Sequence, residues 1–136
     1  MTIEPDGLCE AIRNVFAAGP PVCLAVLFGS HARGTARPDS DVDVAIVPRD
    51  TDMPLAAELD LQARLERACR ASVHLVRIDR ASTTLRWEVA RDGIVIIADP
   101  PHMRSRFLAS AALEHAELMT ALAHGAERFR LRVAER

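Results

Sequence analysis

A chain of 136 residues has the length of one domain and can bury a core without disulfide or metal staples. Its make-up, 49% hydrophobic and 26% charged, is ordinary for a soluble globular protein. A net charge of −2 argues against a protein that holds long nucleic acid, since phosphate neutralisation supplies most of that affinity and needs a basic surface.

A small nucleotide or another protein is therefore the expected partner. With four Phe, one Trp and no Tyr, the core must come from Leu, Val, Ile and Ala. The N-terminal stretch through Glu4-Pro5-Asp6 is acidic where a secretory leader would be basic, and the expected location is the cytoplasm. The first predicted helix carries Leu8, Ala11, Ile12, Val15 and Phe16 on one face, and Gly19-Pro20-Pro21 ends it. Val22 to Phe28 reads as a short strand buried on both faces, far too short to span a bilayer, and no membrane contact is expected.

Gly29-Ser30 follows at once, with one helical turn from His31 to Gly34 and a turn-rich stretch from Thr35 to Ser40. A second strand is predicted from Asp41 to Val47. After a polar connection, Ala57, Leu61, Leu65 and Ala68 recur at helical spacing. Val73 to Ile78 is a third strand. Ala81 to Asp92 is a helix with Leu85 and Val89 inward and Gly93 as its C-terminal cap. Ile94 to Ala98 is a fourth strand, and after Asp99-Pro100-Pro101 a final helix runs from about Met103. The fold class is α/β (α+β): a core over residues 1–101 and a long C-terminal helix over 102–136 of the same domain. Cys9, Cys23 and Cys69 are odd in number, far apart and in apolar surroundings, which predicts buried reduced thiols.

The chemistry concentrates between the first two strands. Residues two apart on a strand point the same way, so Asp41 and Asp43 are expected on one face. Two like charges held that close need a cation between them. Magnesium suits the position: it binds through one or two carboxylates and completes its shell with water and substrate phosphate. Gly29 lets backbone approach a ligand, and Ser30 opens a turn whose free N–H groups and hydroxyl favour phosphate. Arg33 and Arg37 on the same connection can neutralise a triphosphate or a departing pyrophosphate. Gly-Ser or Asp-x-Asp alone is commonplace. The combined spacing Gly-Ser-x10-Asp-x-Asp between two apolar strands is far more specific.

Gly29-Ser30…Asp41-Val42-Asp43 resembles the signature of the DNA polymerase β-like nucleotidyltransferase superfamily. The fuller run GSHARGTARPDSDVDVAIV, Gly29 to Val47, is similar to its small bacterial branch, the minimal nucleotidyltransferase (MNT) proteins. The resemblance implies the nucleotidyltransferase fold, a mixed sheet of about four strands flanked by helices. It also implies ATP as substrate with two Mg²⁺ ions, Asp41 and Asp43 as metal ligands, and Gly29, Ser30, Arg33, Arg37 and Ser40 around the nucleotide. Many MNT proteins are antitoxins that move AMP onto a tyrosine of a HEPN ribonuclease toxin. Others in the wider family modify aminoglycosides, and a third possibility is an antitoxin that acts by contact alone.

The chain departs from the family pattern at one place. A third carboxylate is expected from the next strand, in a run like Val-Asp-Leu-Val-Asp-Leu; here the run is Val73-His74-Leu75-Val76-Arg77-Ile78. His74 stands in the acidic position and joins Asp41 and Asp43 as a catalytic candidate. It can serve as a base, ligate a metal, or simply fill an inward strand position. Asp79 has the opposite strand parity and can substitute only across a bend. Trp87 is a rim or core residue that can also pack on an adenine, His31 is expected in the loop either against the nucleotide or in solvent, and His102 and His124 belong to the surface.

In the last helix Leu108, Ala112, His115, Met119, Leu122, Ala126, Phe129 and Val133 follow a 4-3-4-3 spacing. About 30 helical residues reach roughly 45 Å, longer than so small a body needs. The first half is expected on the body. The second half is expected to meet a second copy or a toxin chain.

Overall fold

In the computed structural model, which describes residues 4–135, the four apolar runs form one mixed sheet. β1 (Val22–Phe28) is antiparallel to β2 (Val42–Pro48) on one side and to β4 (Ile94–Ala98) on the other. β3 (Val73–Arg77) joins the outer edge of β2 in parallel, so the order is β3-β2-β1-β4. Parallel neighbours cannot be joined by a tight turn, and α3 (Leu55–Cys69) makes the crossover.

Both faces of the sheet are covered, which is why its strands read as apolar runs rather than alternations. On one face, Leu8, Ile12 and Phe16 of α1 (Pro5–Ala17) and Leu61 and Leu65 of α3 meet Ala25, Leu27, Val44 and Ile46. On the other, Val89 of α4 (Thr83–Asp92) and Phe107 and Ala111 of α5 (His102–Ala134) meet Leu24, Val26, Ala45 and Val76. Each fully buried large aliphatic side chain stabilises this arrangement by about 1.5–3 kcal/mol. A register shift between Val22 and Leu24 lets two residues of equal parity enter different cores.

β3 is shorter than expected, because residues Ile78–Arg80 form a 3₁₀ turn. The cause is Arg77, a buried guanidinium that needs acceptors on every side. Its Nη1 donates to Glu58 Oε1 of α3 at 2.7 Å, its Nε and Nη2 donate to both Asp79 oxygens at 3.0 and 2.7 Å, and Nη2 also reaches the Thr51 carbonyl at 3.0 Å. Folding Asp79 back onto Arg77 ends the extended backbone.

α4 starts at Ser82, whose Oγ accepts the Leu85 N–H at 3.2 Å. Gly93 does end this helix, but with φ −74 it is not a left-handed cap. Glycine is required there for space: a Cβ would lie 2.4 Å from Val26 Cγ1 and 2.2 Å from the Val89 carbonyl oxygen.

α5 has 33 residues, and its contact stripe lies one position before the predicted seam. Phe107 and Ala111 are buried, Glu114, His115 and Leu118 are half-buried, and Ala112 and Met119 are exposed. Polar pairing with α4 sets this rotation. Arg86 lies over the Phe107 ring and donates to Ser110 Oγ and Glu114 Oε2, while Trp87 stacks on His115 with ring centroids 4.5 Å apart. Every described residue from Met119 onward is exposed, including Leu122, Phe129 and Val133. Cys9 and Cys69 are buried and Cys23 half-buried, all as free thiols. Among the described residues no helix is long and apolar enough to cross a membrane.

Candidate active site

The strand register builds the site. Phe28 at the end of β1 faces Asp43 of β2, and Asp43 in turn faces His74 of β3. The turn that leaves β1 therefore lies directly beside Asp43. Gly29 occupies φ 74, ψ −155, a conformation essentially reserved for glycine. A Cβ on it would sit 2.1 Å from Asp43 Oδ2. Gly29 is thus required twice over, for its backbone angles and for the room it leaves to the carboxylate.

α2 (Ser30–Arg33) is a single turn closed by Gly34 in the left-handed region. The first N–H groups of such a turn have no intrahelical partner, and half-buried Ser30 heads it. His31, expected among the loop's exposed or nucleotide-facing residues, is buried, with Nε2 3.3 Å from the Ser40 carbonyl. It ties the turn to the far end of the connection. The Ser40 Oγ accepts the Arg37 N–H at 2.8 Å and the Ser40 N–H returns to the Arg37 carbonyl, a closed turn that feeds the chain into β2. The Val42 N–H then pairs with the Ser72 carbonyl at 2.8 Å, fixing the start of β2 against β3.

Asp41 lies just ahead of β2 rather than inside it, because regular pairing begins at Val42. Its side chain is exposed, and Asp43 is half-buried. Burial pushes the Asp43 carboxyl above its ordinary value; the hydrogen bond and charge of His74 pull it back, and the negative charges of Asp41 and Glu88 add to the rise. His74 is not inward-facing. Its side chain is 63% exposed, and Nδ1 is 3.3 Å from Asp43 Oδ1. Asp79 is removed from this group: burial opposes its charge, but hydrogen bonding and attraction from Arg77 outweigh that and hold it below the ordinary carboxyl range.

Arg33 is exposed and stands 3.7 Å from Asp92 at the end of α4; Arg37 is exposed on the connection. Trp87 does not reach the loop, being stacked on α5. α4 contributes what the sequence reading missed: Glu88, whose charge Asp43 feels, and Asp92, the partner of Arg33. Their i, i+4 spacing on one helix face was the available signal.

These residues form an open shelf at the end of β1 and the start of β2. Two larger clefts of the body, of about 450 Å³ beside Leu24, Ile78 and Phe107 and about 580 Å³ beside Val15 and Arg64, include none of them. Among the described residues no three His, Cys, Asp or Glu side chains stand as a ready cation cage. The donor set still fits magnesium. Asp43 is a carboxylate that burial disfavours when bare, Asp41 is a second one beside it, and that ion takes its remaining oxygens from phosphate and water.

The polymerase beta nucleotidyltransferase family model matches residues 10–101, the whole sheet with the Gly29 turn and the paired aspartates. The chain belongs to that family. It is similar to the protein adenylyltransferase MntA of Shewanella oneidensis, 36% identical over 74 residues, which are 54% of this chain and 52% of the relative. That match spans about half of the relative's length. The fold superposes on a chain of a toxin–antitoxin crystal structure with AMP-PNP at TM-score 0.76 and 25% identity, covering 88% of this chain and 96% of that one. It also superposes, at TM-score 0.63 and 22% identity, on a chain in a structure of the tri-AMPylated Shewanella oneidensis HEPN toxin with its MNT antitoxin, covering 90% and 98%. This second likeness concerns the fold. The nucleotidyltransferase fold expected from the motif, with a mixed four-stranded sheet and a long terminal helix, is the one observed.

Proposed function

We infer that the protein is an antitoxin-type nucleotidyltransferase of the cytoplasm, which transfers AMP from ATP to a tyrosine hydroxyl of a HEPN-type toxin and so silences it. The observation that carries this reading is the juxtaposition of the glycine-only turn at Gly29 with Asp43, inside a chain of the nucleotidyltransferase family. The 36% identity to a protein adenylyltransferase points to the same chemistry.

Gly29 and the N–H groups that follow it approach the phosphates, and the Ser30 hydroxyl donates to a phosphate oxygen. Arg33 and Arg37 reach over the shelf to stabilise the departing pyrophosphate, and Ser40 keeps the Arg37 backbone in its turn. Asp41 and Asp43 would hold two magnesium ions, which neutralise the triphosphate and favour attack on its α-phosphorus. His74 completes the catalytic set beside Asp43. An exposed shelf, rather than a closed pocket, suits an acceptor carried on another protein. The outer half of α5, with Leu122, Phe129 and Val133 in solvent, is the surface offered to that partner or to a second copy.

The test is intact mass after incubation with ATP, Mg²⁺ and the HEPN-type protein encoded beside this chain. AMP units should appear on a partner tyrosine, vanish with Asp41→Asn plus Asp43→Asn, and fall with the weakened complex of Leu122→Asp plus Phe129→Asp. His74 favours a second reading, neutralisation by contact alone. A tight complex that silences the ribonuclease without any mass gain would establish it.

A further inference from the structure

We propose that His74 is a metal ligand, and that it turns the paired-aspartate site into one selective for divalent transition ions with nitrogen affinity over magnesium. The proposal rests on the nucleotide-site reading above and specifies the cation that site takes. Parallel pairing in register sets His74 directly opposite Asp43, with Nδ1 3.3 Å from Oδ1. That distance exceeds the roughly 2.7–2.9 Å of a good charge-assisted hydrogen bond. It is the size of the gap between two neighbouring donor atoms that share one cation at bonds of about 2.1 Å. The imidazole is largely in solvent, whereas Asp43 is held over the Gly29 turn.

The remaining surroundings agree. Asp41 and Glu88 bring further negative charge towards Asp43, so a cation is favoured there whichever metal supplies it. What distinguishes metals is the third donor. Magnesium prefers an all-oxygen shell, whereas imidazole suits the borderline first-row ions and a mixed carboxylate–imidazole set favours them over magnesium. Asp79, the other carboxylate near the end of β3, is occupied by Arg77 and cannot supply the missing oxygen. A ligating His74 is also not a free base, which separates this role from proton abstraction.

Binding of Ni²⁺ and of Mg²⁺ to the full chain is measured by calorimetry with inorganic triphosphate present, alongside pulsed EPR of the Cu²⁺ complex. Triphosphate contains no nitrogen, so nitrogen coupling to copper must come from the protein. Wild type should show that coupling and a preference for Ni²⁺ of tenfold or more. His74→Ala should lose the coupling and most of the preference while keeping its circular dichroism, and His74→Asp should shift the preference back to Mg²⁺. A wild type that binds both ions with equal affinity and shows no nitrogen coupling overturns this proposal and leaves the nucleotide site intact. If neither ion binds with triphosphate, both this proposal and the nucleotide-site reading are overturned.

Discussion

The two ends of β3 hold polar side chains under opposite regimes. At Arg77 a buried guanidinium has an acceptor for each direction it points, and hydrogen bonding to Asp79, ahead of that to Glu58, holds it protonated well beyond the ordinary range. At His74, three positions earlier, the neighbouring Asp43 carries a carboxyl raised by burial, with two further negative groups in reach and one loose contact to an imidazole. The same pair of strands thus contains a satisfied network and an unsatisfied one. Satisfied charge ties the crossover helix to the sheet. A carboxyl raised by burial and only loosely paired is where a cation is expected to bind.

The largest expected effect comes from breaking the satisfied end. Arg77→Ala leaves Asp79 and Glu58 without the guanidinium that pairs both, and only the exposed Arg80 remains near Asp79. A loss of about 2–4 kcal/mol is expected, with a Tm lower by roughly 6–15 °C. The Asp79 carboxyl is held below its ordinary value, so its share of that stability is present at neutral pH and lost as pH falls through the carboxyl range. The gap between wild type and variant in calorimetric scans should therefore narrow in acid. An unchanged Tm at pH 7 would erase the contrast between the two ends.

Next is Gly29→Ala. A side chain at φ 74, ψ −155 costs about 1–3 kcal/mol, and its Cβ must displace the Asp43 carboxylate. The variant should melt about 3–10 °C lower and lose Mg–ATP affinity by at least about tenfold. Normal affinity by titration calorimetry would mean that Asp43 takes no part in nucleotide binding.

The smallest effect has the opposite sign. The Asp43 carboxyl is raised above its ordinary value of 3.8, so in the folded state its ionised form is a burden whenever the pH lies above the raised value. In chelator at neutral pH, Asp43→Asn should melt about 1–3 °C higher than wild type. That gain should disappear as pH falls towards the ordinary carboxyl value, where both states are protonated. A lower Tm at neutral pH would show that Asp43 is not strained in the free protein.

Much of this was legible beforehand. Gly29, Asp43 and the four strands were readable because a glycine-only turn, a strand parity and an apolar run each have a local physical cause. Asp41 was read as a strand residue and lies just before the strand, since pairing starts where Val42 finds Ser72. Trp87 is the rim residue it was read as, stacked on the His115 ring, whereas His31 was misjudged because one distant partner, the Ser40 carbonyl, settles it. Glu88 and Asp92 share one face of α4 by their spacing, but nothing local to that helix says which turn the face will meet.

The sequence by itself determined the family, the order of elements, the Gly29 turn and the paired aspartates, because these depend on neighbours along the chain. Only the tertiary structure decided which residues of different elements meet: His74 against Asp43, Asp79 against Arg77 rather than the site, and α4 against the contact stripe of α5. Those meetings are set by strand register and helix rotation, which arise from packing over the whole sheet and leave no mark on any single stretch of sequence.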